Sequence, residues 1–197
     1  MSSGGRPQTR LQILEAARAV FEEIGYYDAG LGAVAKKAGV SRQAIYLHFP
    51  SKAELLTALH LHIFATDVAP AIERHPSVDA LSALDALDAM IAVDVEVVAK
   101  VWRVHEALQM ARRQHPEVEE TLRPREDERY GELLDLGHRL EGEGSLPRSI
   151  LAGSFADLLW GLMNVGTYRS LVIERGWSLD QYRRWVRDTI RLQISAA

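Results

Sequence analysis

The stretch from Leu31 to Lys52 holds the side chains best suited to chemistry, and the chemistry is recognition. Ser41 is followed by Arg42, Gln43 and Ala44. Arginine can offer two parallel donors to guanine, glutamine can pair with adenine through both ends of its amide, and an alanine methyl can touch the methyl of thymine. All three fall in the first turn of a short helix for which Ser41 is a good cap. Before it comes Ala38-Gly39-Val40. Gly39 permits a sharp bend, and Val40 plugs the angle between two short helices. This is the grammar of a helix-turn-helix, whose second helix lies in the DNA major groove with its leading side chains at the base edges. Ile45, on the other side of that helix, should point into the core.

Other chemistries find little support. There is no cysteine, which excludes a disulfide scaffold, a thiolate metal site and a cysteine nucleophile. No Gly-x-Ser-x-Gly, P-loop or Gly-x-Gly-x-x-Gly occurs. A di-iron carboxylate bundle needs two Glu-x-x-His units. The nearest approach is a single Asp135-x-x-His138. His60 and His62 would stand about 200° apart around a helix, poor for shared ligation. We expect no metal, no cofactor and no catalysis; a helical metal-binding enzyme is the remote alternative.

The elements that must position Arg42 and Gln43 read as helices throughout, with no sustained two-residue alternation. Thr9 to Ile24 places Ile13, Ala17, Val20, Phe21 and Ile24 on one face, and Gly25 stops it. Leu31 to about Ala38 and Ser41 to about Phe49 form the two short helices, closed by Gly39 and Pro50. Ser51-Lys52-Ala53-Glu54 is a capping box that opens a fourth helix, which Pro70 should kink or end. His75-Pro76 is a further break. Leu81, Leu84, Leu87, Ile91, Val95, Val98 and Trp102 make a long apolar stripe, with a possible break near Val98 to Lys100. A helix from Pro116 to about Leu140 precedes a loop at Glu141 to Gly144. Another runs from about Pro147 to Glu174. Ser178-Leu-Asp-Gln181 is a second capping box, opening a last helix with Tyr182, Val186 and Ile190 on one face and Arg183, Arg184, Arg187 and Arg191 on another. The expectation is an all-α protein of about nine helices. Residues 1–50 would be a three-helix DNA-binding domain, 51–75 a connecting helix, and 51–197 a helical body.

Length and charge fit this division. The 197 residues can bury a real core, and 47% hydrophobic with 25% charged residues is the mix of a globular chain. The net charge of -4 argues against a general nucleic-acid binder. From Met1 to His62, however, seven Lys and Arg stand against five Asp and Glu. A mildly basic end on an acidic body suits a protein that presents one end to a polyanion. No uninterrupted apolar run approaches the roughly 18 residues of a membrane-spanning helix. Met1 to Arg6 reads as a flexible arm with no apolar stretch behind it, hence no signal peptide. A cytoplasmic protein is expected.

Two runs also resemble a family. Thr9-Arg10-x-x-Ile13-Leu14-x-Ala16-Ala17-x-x-x-Phe21-x-x-x-Gly25-Tyr26 is similar to the first helix of TetR-type transcriptional regulators. Val34-Ala35-x-x-Ala38-Gly39-Val40-Ser41-x-x-x-Ile45-Tyr46-x-His48-Phe49-x-x-Lys52-x-x-Leu55 is similar to their helix-turn-helix and the helix after it. The resemblance implies that Tyr46, His48 and Lys52 hold the DNA backbone. It implies that Arg42, Gln43, Ala44 and Leu47 face the bases. One departure is Ala29-Gly30, where such regulators often carry Thr or Ser; Asp28 is expected to cap the second helix instead. Gly32 also supplies no side chain.

For the body the resemblance implies dimerisation and often a small-molecule pocket. Gly153, Gly161 and Gly166 sit amid large apolar residues. Glycine inside a helix costs about 1 kcal/mol against alanine, a cost that close approach of another helix can offset. With Tyr182, Trp185 and Val186 of the last helix they are the expected dimer face, forming four helices about a two-fold axis. Trp102, His105, Met110, Tyr130, Trp160, Met163 and Asn164 are the expected pocket, suited to a small apolar or amphipathic ligand. Asp79, Asp85, Asp88, Asp94 and Glu96 read as a solvated face. The expectation is a homodimeric regulator, a repressor that leaves a pseudo-palindromic DNA operator when a small molecule binds. The alternative is a DNA-binding regulator with no such ligand.

Overall fold

The computed structural model describes residues 5–75 and 80–194. Of the expected arm from Met1 to Arg6, the first four residues lie outside the described residues, as do the break at Pro76 and Asp79, whereas Gly5 and Arg6 are not an arm but the start of a helix. The described residues are helical, with no strand among them. The chain divides into two compact units: 1–66 with 103–122, and 67–102 with 123–197. This division differs from one near residue 50, because the ends of two long helices in the body belong to the first unit.

In the first unit, α1 (Gly5–Ile24), α2 (Leu31–Ala38), α3 (Arg42–His48) and α4 (Lys52–Ile63) follow one another. α1 packs on α2 and α4, and α2 packs on α3. The core is built from Ile13, Ala17, Val20 and Phe21 of α1, Val34 and Ala35 of α2, Ile45 of α3, and Leu55, Leu56 and Leu59 of α4, all buried. Ile24 departs from expectation: it is 46% exposed, since the helix ends there and the chain turns away at Gly25, whose φ is 80°. The same unit takes in Val104, Ala107, Leu108, Val118 and Leu122, also buried. Lys52–Glu73 is a 22-residue stretch apolar and long enough, by composition, to cross a membrane. Leu55, Leu56, Leu59 and Ile63 spend its apolar surface on the protein core. A π-helical turn at Phe64–Val68 precedes α5 (Ala69–Glu73), so Pro70 ends the regular helix by forcing a new start, with the proline in a first turn.

The second unit is built from α5, α6 (Ala83–Ala111) up to Trp102, α7 (Pro116–Gly142) from Arg123 onward, α8 (Ala152–Leu162), α9 (Val165–Tyr168), a π-helical turn at Arg169–Glu174, and α10 (Leu179–Ile194). Its core gathers Leu87, Ile91, Val95, Leu133, Leu136, Leu140, Phe155, Leu159, Tyr168, Tyr182, Val186 and Ile190. α6 runs without the break expected near Val98, and α7 continues two residues past Leu140. The Pro147 helix begins later, at Ala152, because Leu151 is extended. It also stops early. Met163 leaves the helical region, and Asn164 accepts from the Thr167 N–H at 2.9 Å while donating to the Gly161 carbonyl at 2.6 Å. One asparagine thereby ends α8 and caps α9. The second capping box closes in both directions: Gln181 N–H donates to Ser178 Oγ (3.1 Å), and Ser178 N–H to Gln181 Oε1 (2.8 Å). Asp94 pairs with Arg129 across α6 and α7.

Candidate nucleic-acid interface

The bend between α2 and α3 is built from backbone alone. Gly39 sits in the left-handed region, φ 66° and ψ 29°. Its N–H donates to the Lys36 carbonyl (3.3 Å), and the Val40 N–H to Ala35 (3.0 Å). This paired arrangement satisfies the last carbonyls of α2 and aims the chain into the next helix. Ser41 then caps α3, its Oγ accepting from the Ala44 N–H at 3.1 Å. The first turn of α3 is therefore anchored at both ends before any side chain reaches outward.

α3 has two opposite sides. Ile45 is 0% exposed, and Phe49 at its C-terminal end is buried. Arg42, Gln43, Tyr46 and Leu47 are exposed, Leu47 by 78%, while Ala44 and His48 are half-buried. A leucine this bare near the end of a short helix, on the same exposed side as an arginine and a glutamine, forms a mixed apolar and polar edge. The Arg42 stem lies over the first turn of α2: a Cβ added to Gly32 would meet Arg42 Cδ at 3.9 Å. Asp28 does not cap α2. Gly30 occupies that position and makes no side-chain hydrogen bond, since it has no side chain to bond with.

Lys52 stands beside this edge at the start of α4. Ser51 Oγ accepts from the Glu54 N–H at 3.0 Å and fixes that start. The Lys52 ammonium lies 4.2 Å over the Tyr26 ring and donates to the Tyr27 carbonyl at 3.4 Å. Burial pushes its pKa below the usual lysine value, and the Asp28 carboxylate partly opposes this. Arg10, which was not singled out as a contact, stacks its guanidinium 4.9 Å from the centre of the Phe49 ring. The signal for it was present in the basic count of the N-terminal third.

The other named residues are dispersed. Tyr130 donates to Asp157 (2.8 Å) and meets Trp160 edge-on at 6.0 Å. Trp102 lies 6.4 Å from Tyr168, and Met163 packs against the same core. Trp160 is exposed, and Asn164 is engaged as a cap. His105 contacts Gln109 (3.1 Å) and, like Met110, belongs to the first unit, so the seven are split between units. Tyr182 and Val186 are 1% and 0% exposed and fill the core of their own unit, so they offer no surface to a second chain. Trp185 is half-buried against Tyr182. Gly161 and Gly166 are exposed. A Cβ at Gly153 or Gly161 would meet nothing within 4 Å. His60 is buried 6.0 Å from the His105 ring, whereas His62 contacts Glu15 at 2.7 Å. Among the described residues no cluster of three or more His, Asp or Glu comes together as a metal site.

Residues 13–59 match the family model for bacterial regulatory proteins, tetR family. The chain is 38% identical over 103 residues to the HTH-type transcriptional regulator TtgR of Pseudomonas putida, covering 51% of this chain and 49% of TtgR. It is 39% identical over 74 residues to the HTH-type transcriptional repressor LfrR of Mycolicibacterium smegmatis, 38% of each chain. The chain thus spans about half the length, or less, of these curated relatives. A transcriptional regulator from Saccharomonospora viridis, solved in complex with choline, superposes with a TM-score of 0.78 at 21% identity, over 95% of this chain and 98% of that one. The likeness extends the shared fold over the body.

Proposed function

We propose that this chain, which through residues 13–59 belongs to the tetR family of bacterial regulatory proteins, is a cytoplasmic transcription repressor that binds duplex DNA as a homodimer and is released by a small molecule. The observation that carries the reading is the two-sided α3: Ile45 and Phe49 lock it down while Arg42, Gln43, Tyr46 and Leu47 stand free. Arg42, Gln43, Ala44 and Leu47 read bases; Tyr46, His48 and Lys52 grip phosphates.

Two such helices in one dimer would enter successive major grooves about 34 Å apart on a pseudo-palindrome. The open faces of Gly153 and Gly161 support a second chain against α8. Release follows if an effector binds the non-DNA conformation more tightly; a coupling of about 1–3 kcal/mol changes operator affinity 5- to 150-fold. The repressor name of one relative and the choline held by one neighbour support the sign and the effector step. Selection from random duplexes with the purified chain tests the whole reading. A two-fold logo with half-sites one helical turn apart is expected; recovery of no enriched sequence overturns it.

A further inference from the structure

Leu47 is 78% exposed, more than any other large hydrophobic side chain among the described residues. Its direction is fixed by α3 itself. Ile45, two residues before it, is 0% exposed and anchors the helix to the core. At about 100° per residue the two stand about 200° apart around the helix, so Leu47 points away from the protein. Gln43, four residues before Leu47, is exposed on the same face one turn back. Ala44, the other apolar residue of this side, is half-buried, and its N–H is engaged by the Ser41 hydroxyl at 3.1 Å. The helix therefore projects one bare isobutyl group from an edge whose other exposed members, Arg42, Gln43 and Tyr46, all carry polar groups.

A leucine side chain has no donor and no acceptor, so it can bond neither a phosphate nor the polar edge of a base pair. The apolar group that a base pair presents in the major groove is the C5-methyl of thymine. We propose that Leu47 selects a 5-methylpyrimidine: its isobutyl group packs on the C5-methyl of one thymine in each half-site, beside the base that Gln43 reads. This inference rests on the DNA-binding reading above and deepens it, moving the methyl contact expected of Ala44 to Leu47. Burying one methyl-sized group is worth about fourfold in affinity, and two half-sites together about fifteenfold. The same contact accepts 5-methylcytosine, which carries its methyl on the same ring carbon. Leu47 thereby makes the operator sensitive to a group that no hydrogen bond can sense.

Fluorescence anisotropy of the full chain tests this, at low salt, with the duplex recovered by selection from random sequence. Each thymine of a half-site, together with its symmetry mate, is replaced by deoxyuridine, which removes the methyl and nothing else. At one position the wild type should bind about fifteenfold more weakly, and there 5-methylcytosine should be preferred to cytosine by a similar factor. Leu47→Ala should bind thymine and deoxyuridine alike at that position. Leu47→Met, which keeps an apolar side chain of similar volume, should retain the preference, and so should Ala44→Gly. Circular dichroism checks that each variant is folded. A half-site without thymine, or no position at which deoxyuridine weakens wild-type binding, overturns the inference. So does a thymine preference that survives in folded Leu47→Ala or vanishes in folded Ala44→Gly. Each of these outcomes leaves the DNA-binding reading intact. Recovery of no enriched duplex fails that reading itself and removes this inference with it.

Discussion

The Val40 N–H reaches back to the Ala35 carbonyl at 3.0 Å, across a glycine held at φ 66°. That bond closes α2 and sets where α3 begins, so the direction of Arg42 and Gln43 depends on the backbone of Gly39. An L-residue with a Cβ in this region costs about 1–2 kcal/mol. Gly39→Ala should lower stability by that amount, and Gly39→Asn by less, since asparagine tolerates the left-handed region. Urea denaturation followed by circular dichroism reads both.

Arg42 lies exposed at the leading end of α3 with its stem over Gly32. Arg42→Ala should relax base preference at one position per half-site, at a cost of about 1–3 kcal/mol on the preferred sequence. Selection with the variant gives the comparison. An unchanged logo removes Arg42 from the reading edge.

Lys52 keeps its ammonium between the Tyr26 ring and the Tyr27 carbonyl, within reach of Asp28. Lys52→Ala should weaken binding to all duplexes alike and reduce the slope of log affinity against log salt by about one. Measuring affinity across a salt series separates this from a base contact. A change confined to one sequence would assign Lys52 the wrong role.

A Cβ on Gly137 would lie 2.7 Å from the Ala152 carbonyl oxygen and 3.2 Å from the Ala152 Cα. The obstacle is backbone at the first turn of α8, which cannot swing aside as a side chain does. Gly137→Ala should destabilise the chain by about 1–3 kcal/mol, the usual range for overpacking. Thermal unfolding checks it. A melting temperature equal to wild type would mean that α8 shifts freely.

Gly161 is the contrasting case, exposed with nothing within 4 Å of an added Cβ. Gly161→Leu should leave the single subunit folded and weaken its association with a second copy. Sedimentation over a concentration series reads the dimer equilibrium. An unaltered dimer would move the interface away from this face of α8.

The helix-turn-helix head was legible in the sequence because its signals are local. Gly39, Ser41 and Ser51 act on backbone groups within a few residues, so their spacing alone places α2, α3 and the start of α4. Ile45 inward follows from the position of its helix against the bend, and Leu47 outward from the family resemblance. The same reasoning failed at Ile24, which a stripe pattern places inward, and it did not reveal that Asn164 caps α9.

The sequence by itself determined that the chain is helical, where its strongest caps lie, and which short helix carries an arginine and a glutamine at its leading edge. Only the tertiary structure decided that residues 103–122 join the first unit, that Tyr182 and Val186 are sealed inside the core of their own unit, that Gly137 is required by the Ala152 carbonyl, and that Arg10 covers the Phe49 ring. The physical reason is range. Caps and turns act over three or four residues, whereas burial depends on which distant segment covers an apolar face, and helical periodicity marks that face without naming its neighbour.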